Sequence, residues 1–173
     1  TGPFRLLTPD GVSPAFHDAL PMKLPVAPYE VAYARWGRRE FAWMIGQGDR
    51  ANLEALLFGK EEVESVSHLE QTSVLLPDIG FAVLRRGRDE EATCVAMDYG
   101  PHGGGHGHCD KLNIVTYSHG QEMAPDLGRG WPYNLPQHVD YYKLSASHNT
   151  VTVDEQSQAE CAGQLLYFED RGV

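Results

Sequence analysis

The residues best suited to acid–base or metal chemistry crowd between Asp98 and Asp126, in the run DYGPHGGGHGHCDKLNIVTYSHGQEMAPD. Imidazole titrates near neutral pH and is also a common metal ligand, so histidines grouped with aspartates suit either proton transfer or coordination. His106 and His108 are two apart, which in an extended chain puts both on one side with Asp110 beside them. A tetrahedral metal site commonly draws three ligands from imidazole and carboxylate, and His106, His108, Asp110, His119, Asp126 and His148 are the candidates. Glycines 103–105 and 107 let the backbone take dihedrals closed to other residues and approach a ligand closely. The GxGxxG-like spacing over 103–108 is no nucleotide fingerprint, because it does not sit between a strand and a helix N-terminus. His17, His68, His102 and His138 are expected to be surface or hydrogen-bonded histidines.

Positioning such a cluster is work for the second part of the chain. After Val63 the apolar pattern shortens to short β-branched or aromatic runs: 73–77, 81–86, 92–99, 112–118, 149–154 and 164–168. PDIG (77–80) and RRGRDEE (85–91) read as hairpin connections, and no helical crossover intervenes. That predicts an antiparallel β-sandwich rather than a parallel sheet. Upstream, residues 1–27 carry five prolines and read as an extended segment with turns at 9–11 and 13–14. From Pro28 a helical apolar stripe runs through Val31, Ala34, Trp36, Phe41 and Ile45, closed by Gly46 and Gly48. Asp49 is a plausible N-cap for a second helix through Leu57, stopped by Gly59. The expected organisation is α+β: helices within residues 1–62, then a sandwich over 63–173.

Composition excludes several function classes. The chain has 173 residues, 42% hydrophobic and 22% charged, which is globular rather than disordered. No apolar run approaches the roughly 18–20 residues of a membrane-spanning helix. The formal net charge of −10 opposes sequence-independent nucleic-acid binding, which depends on Lys and Arg neutralising phosphates. Cys94, Cys109 and Cys161 are odd in number and widely spaced, so neither a disulfide framework nor a CxxC zinc knuckle is expected. The chain begins at Thr1 with no charged-then-apolar leader, and the expectation is a processed chain or a piece of something larger.

The run DYGPHGGGHGHCDKLNIVTYSHGQEMAPDLG, followed by SHNTVTVDEQSQ, resembles the β-sandwich domain of the heparinase II/III-like polysaccharide lyases, a group that includes alginate and oligoalginate lyases. The upstream SPAFHDA and LEALLFG look like the close of that family's (α/α) toroid. The resemblance implies β-elimination on an anionic uronate polysaccharide or oligosaccharide: a base takes the C5 proton, an acid protonates the departing O4, and the sugar carboxylate is neutralised. It implies that His106 faces the substrate as a catalytic or carboxylate-neutralising group. It implies a zinc ion held by His108, Asp126 and His148 that supports the site without performing the elimination, leaving Asp110 outside the ligand set. Tyr133, in WPYNLP, is expected to contact substrate or act catalytically, Trp131 to stack on a sugar ring, and Tyr141 and Tyr142 to pack in a strand. A shortage of clustered Arg and Lys favours alginate over heparin or heparan sulfate. Because the family draws its principal catalytic tyrosine from the toroid, a chain with only the toroid's tail is expected to be nearly silent alone. Two other readings compete: a cupin-like metal enzyme, with its site inside one barrel, and a non-catalytic carbohydrate-binding sandwich with a structural metal.

Overall fold

The computed structural model describes residues 3–88 and 91–171. They divide into two compact units, Lys23–Gln71 on one side and the N-terminal segment through Met22 with Thr72 onward on the other.

The Lys23–Gln71 unit holds three helices: α1 (Ala27–Trp36), α2 (Arg39–Ile45) and α3 (Leu53–Phe58). The single stripe expected from Pro28 to Ile45 is broken because Gly37 takes a left-handed conformation (φ 61°) and its N–H closes on the Tyr33 carbonyl at 2.8 Å. Asn52, rather than Asp49, caps α3, its side-chain oxygen accepting from the Ala55 N–H at 2.8 Å. Glu30 is fully buried and is gripped by Arg50 through Nε at 2.7 Å and Nη2 at 3.0 Å, a forked pairing that compensates its charge.

The other unit is built on a five-stranded antiparallel sheet in simple sequential order: β1 (Val74–Leu76), β2 (Phe81–Arg86), β3 (Thr93–Asp98), β4 (Asn113–Ser118) and β5 (Gln121–Ala124). Partners Val74, Val83, Ala96 and Val115 line up across four strands, and all are buried. Phe16 from the N-terminal segment packs on this stripe, its ring 5.1 Å from that of Phe81. Each large side chain so buried contributes about 1.5–3 kcal/mol.

The two-residue period then explains where chemistry begins. On the same buried face, β3 runs Cys94, Ala96, Asp98 and β4 runs Asn113, Val115, Tyr117. Asp98 pairs with Asn113, so the core face turns polar at that end of the sheet.

Two expected strands are absent as ladders. Within 149–154 the described residues form only one bridge, Val153 to Gln156, because Asp154 and Glu155 both take left-handed dihedrals and reverse the chain. Residues 164–168 carry no strand, and Leu166 and Tyr167 are exposed. The described residues therefore show one five-stranded sheet, beside a pairing of two-residue strands near the N-terminus, where a sandwich was expected. Tyr141 and Tyr142 lie in a π-helical turn (His138–Tyr142), not in a strand. None of these helices is long and apolar enough to cross a membrane.

Candidate active site

The glycine loop sets His106 and His108 apart. Gly103 and Gly104 take φ of 90° and 67°, and residues Gly104–His106 close a short 3-10 turn. A Cβ on Gly107 would stand 1.7 Å from the His102 carbonyl oxygen, so only glycine allows this crossing. Lys143 Nζ donates to the Gly105 carbonyl at 3.0 Å and pins the turn. Because the segment is turned rather than extended, the two imidazoles do not share a face. His106 is 81% exposed, whereas His108 is fully buried.

His108 opens a buried chain of polar groups. Its Nδ1 lies 3.2 Å from His148 Nε2, and His148 Nδ1 lies 2.7 Å from Asp126 Oδ2. Asn113, from the polar end of β4, donates to the same Asp126 oxygen at 2.5 Å, and the Gly128 N–H donates to Oδ1 at 2.6 Å. His148 is fixed by its neighbour Asn149, whose side-chain amide donates to the carbonyls of Ile114, Ala124 and Pro125 at 3.0–3.2 Å. Burial, then the adjoining His148, pushes the His108 pKa down to about 4, so its imidazole is neutral near pH 7. Its Nε2 is buried without a hydrogen-bond partner.

Asp110 adjoins this chain, and donor atoms of His108, Asp110 and His148 all fall within 4.8 Å of one another. Yet Asp110 also belongs to a second knot. His17 places Nε2 3.1 Å from Asp98 and Nδ1 3.3 Å from Asp110, while Lys111 pairs closely with Asp98 and lies 3.5 Å from Asp110. Burial alone would lower the His17 pKa, but Asp110 and Asp98 outweigh it and raise it to about 9. Two cations thus balance two buried carboxylates.

Segment 15–18 supplies a side chain to each region. Ala15 and Phe16 enter the core, His17 enters the carboxylate knot with a left-handed φ of 56°, and Asp18 reaches the rim. There Asp18 Oδ2 meets His106 Nδ1 at 2.5 Å and accepts from the Tyr133 hydroxyl at 2.8 Å. Burial would raise the Asp18 pKa, but these two bonds hold it below the usual carboxylate range. Gly128 makes room for the segment, since a Cβ there would stand 2.1 Å from the Ala19 carbonyl oxygen.

The expected residues therefore fall into two groups. His106 and Tyr133 meet at the rim, and Trp131 stands beside them, 68% exposed, with its ring 6.0 Å from Tyr133. The Arg129 guanidinium lies 4.6 Å and 4.8 Å from the centres of those two rings. His108, Asp126 and His148 form the buried group. His119 is in neither; it sits exposed on the β4–β5 turn, Nδ1 2.9 Å from Ser118 Oγ. Sequence reasoning missed His17, Asp18, Asn113 and His138, the last buried with its ring 4.8 Å from Tyr133 and 6.1 Å from His108. The signal for the first two was available: a charged pair directly after an apolar Ala-Phe, in a segment otherwise poor in charge.

Comparison with known proteins places this antiparallel-sheet fold in a family. Residues 69–169 match the family described as heparinase II/III-like, C-terminal, and the chain belongs to that family. An alginate lyase of Stenotrophomonas maltophilia is 36% identical over 88 residues, covering 45% of this chain and 12% of that protein. An exo-oligoalginate lyase of Saccharophagus degradans is 38% identical over 64 residues, covering 32% and 9%. Among solved structures, a heparan sulfate lyase from Pedobacter heparinus superposes with a TM-score of 0.64 at 20% identity, over 91% of this chain and 23% of that one. A structure of heparinase III gives 0.63 at 18% identity, over 96% and 26%. The chain thus spans about a tenth of the curated relatives and a quarter of the solved ones, and the structural likeness speaks for the fold.

Proposed function

We propose that this chain is the sheet part of a polysaccharide lyase that cleaves uronic-acid glycosides by β-elimination, with alginate or its oligosaccharides as the favoured substrate. One observation carries the reading: an exposed imidazole and a phenol, His106 and Tyr133, meet on one carboxylate at the edge of a rigid buried network. The named relatives cleave alginate or oligoalginate, and the few basic side chains near the rim (Arg129 and Lys143 beside it) suit a carboxylated polymer better than a densely sulfated one. The helices of the Lys23–Gln71 unit are read as the close of a helical toroid.

In this mechanism His106 receives the C5 proton on Nε2, since its Nδ1 is occupied by Asp18. The C5–H electrons form the C4=C5 double bond as the C4–O4 bond breaks, and Tyr133 delivers a proton to the leaving oxygen. Arg129 offers its positive charge toward the sugar carboxylate, and Trp131 presents a ring face to the sugar.

The zinc is proposed for the buried chain, at His108, Asp126 and His148. His108 is neutral with an unpartnered nitrogen, and His148 lies beside it. The family resemblance gives Asp126 as the carboxylate of the set, and it is held by an amide, a backbone N–H and His148; Asp110, whose donor atoms lie within 4.8 Å of those of His108 and His148 and whose oxygens are buried without a hydrogen bond, is the other carboxylate within reach, shared with His17 and Lys111. A zinc ion held there would supply a fixed positive charge and tie the glycine loop to the segments carrying Asp126 and His148.

The test is to mix the full-length protein separately with polymannuronate, polyguluronate and heparan sulfate and follow the ultraviolet absorbance of unsaturated uronate. The reading expects absorbance to rise with an alginate block. No rise with any of the three contradicts it; a rise with heparan sulfate alone overturns the substrate preference.

A further inference from the structure

We propose that Asp18 is the positioning residue of the rim site, holding His106 in the Nδ1–H tautomer and keeping Tyr133 beside it. This rests on the lyase reading above.

The geometry is specific. One oxygen, Asp18 Oδ2, takes both contacts, 2.5 Å from His106 Nδ1 and 2.8 Å from the Tyr133 hydroxyl. A carboxylate only accepts, so Nδ1 must carry the proton and donate it. The lone pair is then left on Nε2, which points away from Asp18. An imidazole that is 81% exposed has no packing of its own to select a rotamer or a tautomer, so this bond supplies the selection. Tyr133 is likewise a half-exposed loop residue, and its hydroxyl finds the same oxygen.

Asp18 itself is firmly placed, which a positioning group requires. Its side chain is only 15% exposed. On its N-terminal side, His17 is clamped between Asp98 and Asp110 and Phe16 is locked in the sheet core. On its other side the Ala19 N–H donates to the Phe16 carbonyl at 3.1 Å, closing a turn that fits against Gly128. The sheet's core thereby dictates the orientation of two side chains that stand outside it.

The consequence for the reaction balances as follows. Nε2 accepts the C5 proton, giving an imidazolium whose Nδ1–H faces the Asp18 carboxylate. The pair of electrons released at C5 enters the C4=C5 bond, and O4 departs with the Tyr133 proton. Asp18 gains and loses nothing; it aligns the acceptor and offsets the charge that develops on it.

The experiment uses the full-length protein. In Asp18→Ala, kcat for release of unsaturated uronide should fall at least about 10-fold and up to about 10⁴-fold, the latter being the loss when the carboxylate orienting a catalytic histidine is neutralised. KM should stay within about threefold, because ground-state binding is not what is removed. Zinc content and melting temperature should match the unsubstituted protein. Added formate should restore kcat saturably while chloride at equal ionic strength does not, since the rim is open to a small carboxylate. A kcat within about twofold of the unsubstituted protein overturns the proposal, and so does a loss that formate cannot recover. If His106→Ala is inactive while Asp18→Ala is not, the lyase reading stands and the role of Asp18 falls. If the unsubstituted protein releases no uronide, both fall.

Discussion

Replacing His17 by glutamine removes a cation from between two buried carboxylates while keeping a side chain of similar length. In the native arrangement His17 and Lys111 offset Asp98 and Asp110, all beneath the rim. Without His17, two carboxylates face one ammonium group. The rise of the His17 pKa from its ordinary 6.5 to about 9 corresponds to about 3 kcal/mol, and removal of one member of a buried ion pair typically costs about 3–5 kcal/mol. The two agree, and we expect a loss of about 3 kcal/mol near neutral pH. The pH dependence separates this charge effect from lost packing. A histidine whose pKa is raised on folding contributes fully below its unfolded value of 6.5, and that contribution disappears as pH rises through about 9. Urea unfolding of the native protein and of His17→Gln, read by near-ultraviolet circular dichroism, should therefore converge by about 3 kcal/mol between about pH 6.5 and pH 10. Parallel stability curves over that range would refute the reasoning, because they would mean that His17 is not charged in the folded state.

Three further outcomes follow from the same geometry. Asp126→Asn and His148→Ala should lose zinc and melt at lower temperature, whereas Asp110→Asn should retain zinc; elemental analysis of protein purified without chelator decides this. His106→Ala should keep its zinc and lose about 10²–10⁴-fold in turnover, and zinc lost together with activity would reverse the roles of the two histidines. Gly128→Ala should be destabilised by at least about 1 kcal/mol, because its φ of 61° is disfavoured with a Cβ and the added atom meets the Ala19 carbonyl. By shifting the Asp18 turn, it should also lower turnover.

What the sequence made legible is what is local. Strand identity from Ser73 to Ser118 followed from alternation between turn residues, and four of the five sheet strands lie where that pattern puts them. The HGHCD run and WPYNLP named His106 and Tyr133, which the fold brings to one carboxylate. Placement across long separations was not legible. Asp18 reaches residues 88 and 115 positions away, and no period or spacing encodes that contact. His17 looked like a lone histidine because its partners, Asp98 and Asp110, are joined to it only by the fold. The alternation in VTVD imitates a strand, but consecutive left-handed residues at Asp154 and Glu155 turn it back on itself. In the glycine loop the error was one of period: two residues apart means one face only in an extended chain, and Gly103 and Gly104 make it a turn. In each case a local rule was applied to residues whose conformation is set by distant contacts or by glycine.

The central claim is that the rim site breaks a uronide by elimination, and the oxygen of the product tests this most directly. The full-length protein is incubated briefly with oligoalginate already reduced at its own reducing end, in water enriched in heavy oxygen, and the fragments are reduced at once with borohydride, so that no hemiacetal exchanges its oxygen, before they are weighed by mass spectrometry. Elimination takes no oxygen from water into the cleaved linkage: the fragment that gains the new reducing end keeps the original O4 on its C1, and the other carries a C4=C5 double bond at its new non-reducing end and is lighter by one water than a hydrolysis product. The account predicts unlabelled fragments, one of them unsaturated, formed by the native protein and lost in His106→Ala. Fragments that acquire solvent oxygen at the cleaved bond, both of them saturated, would contradict it.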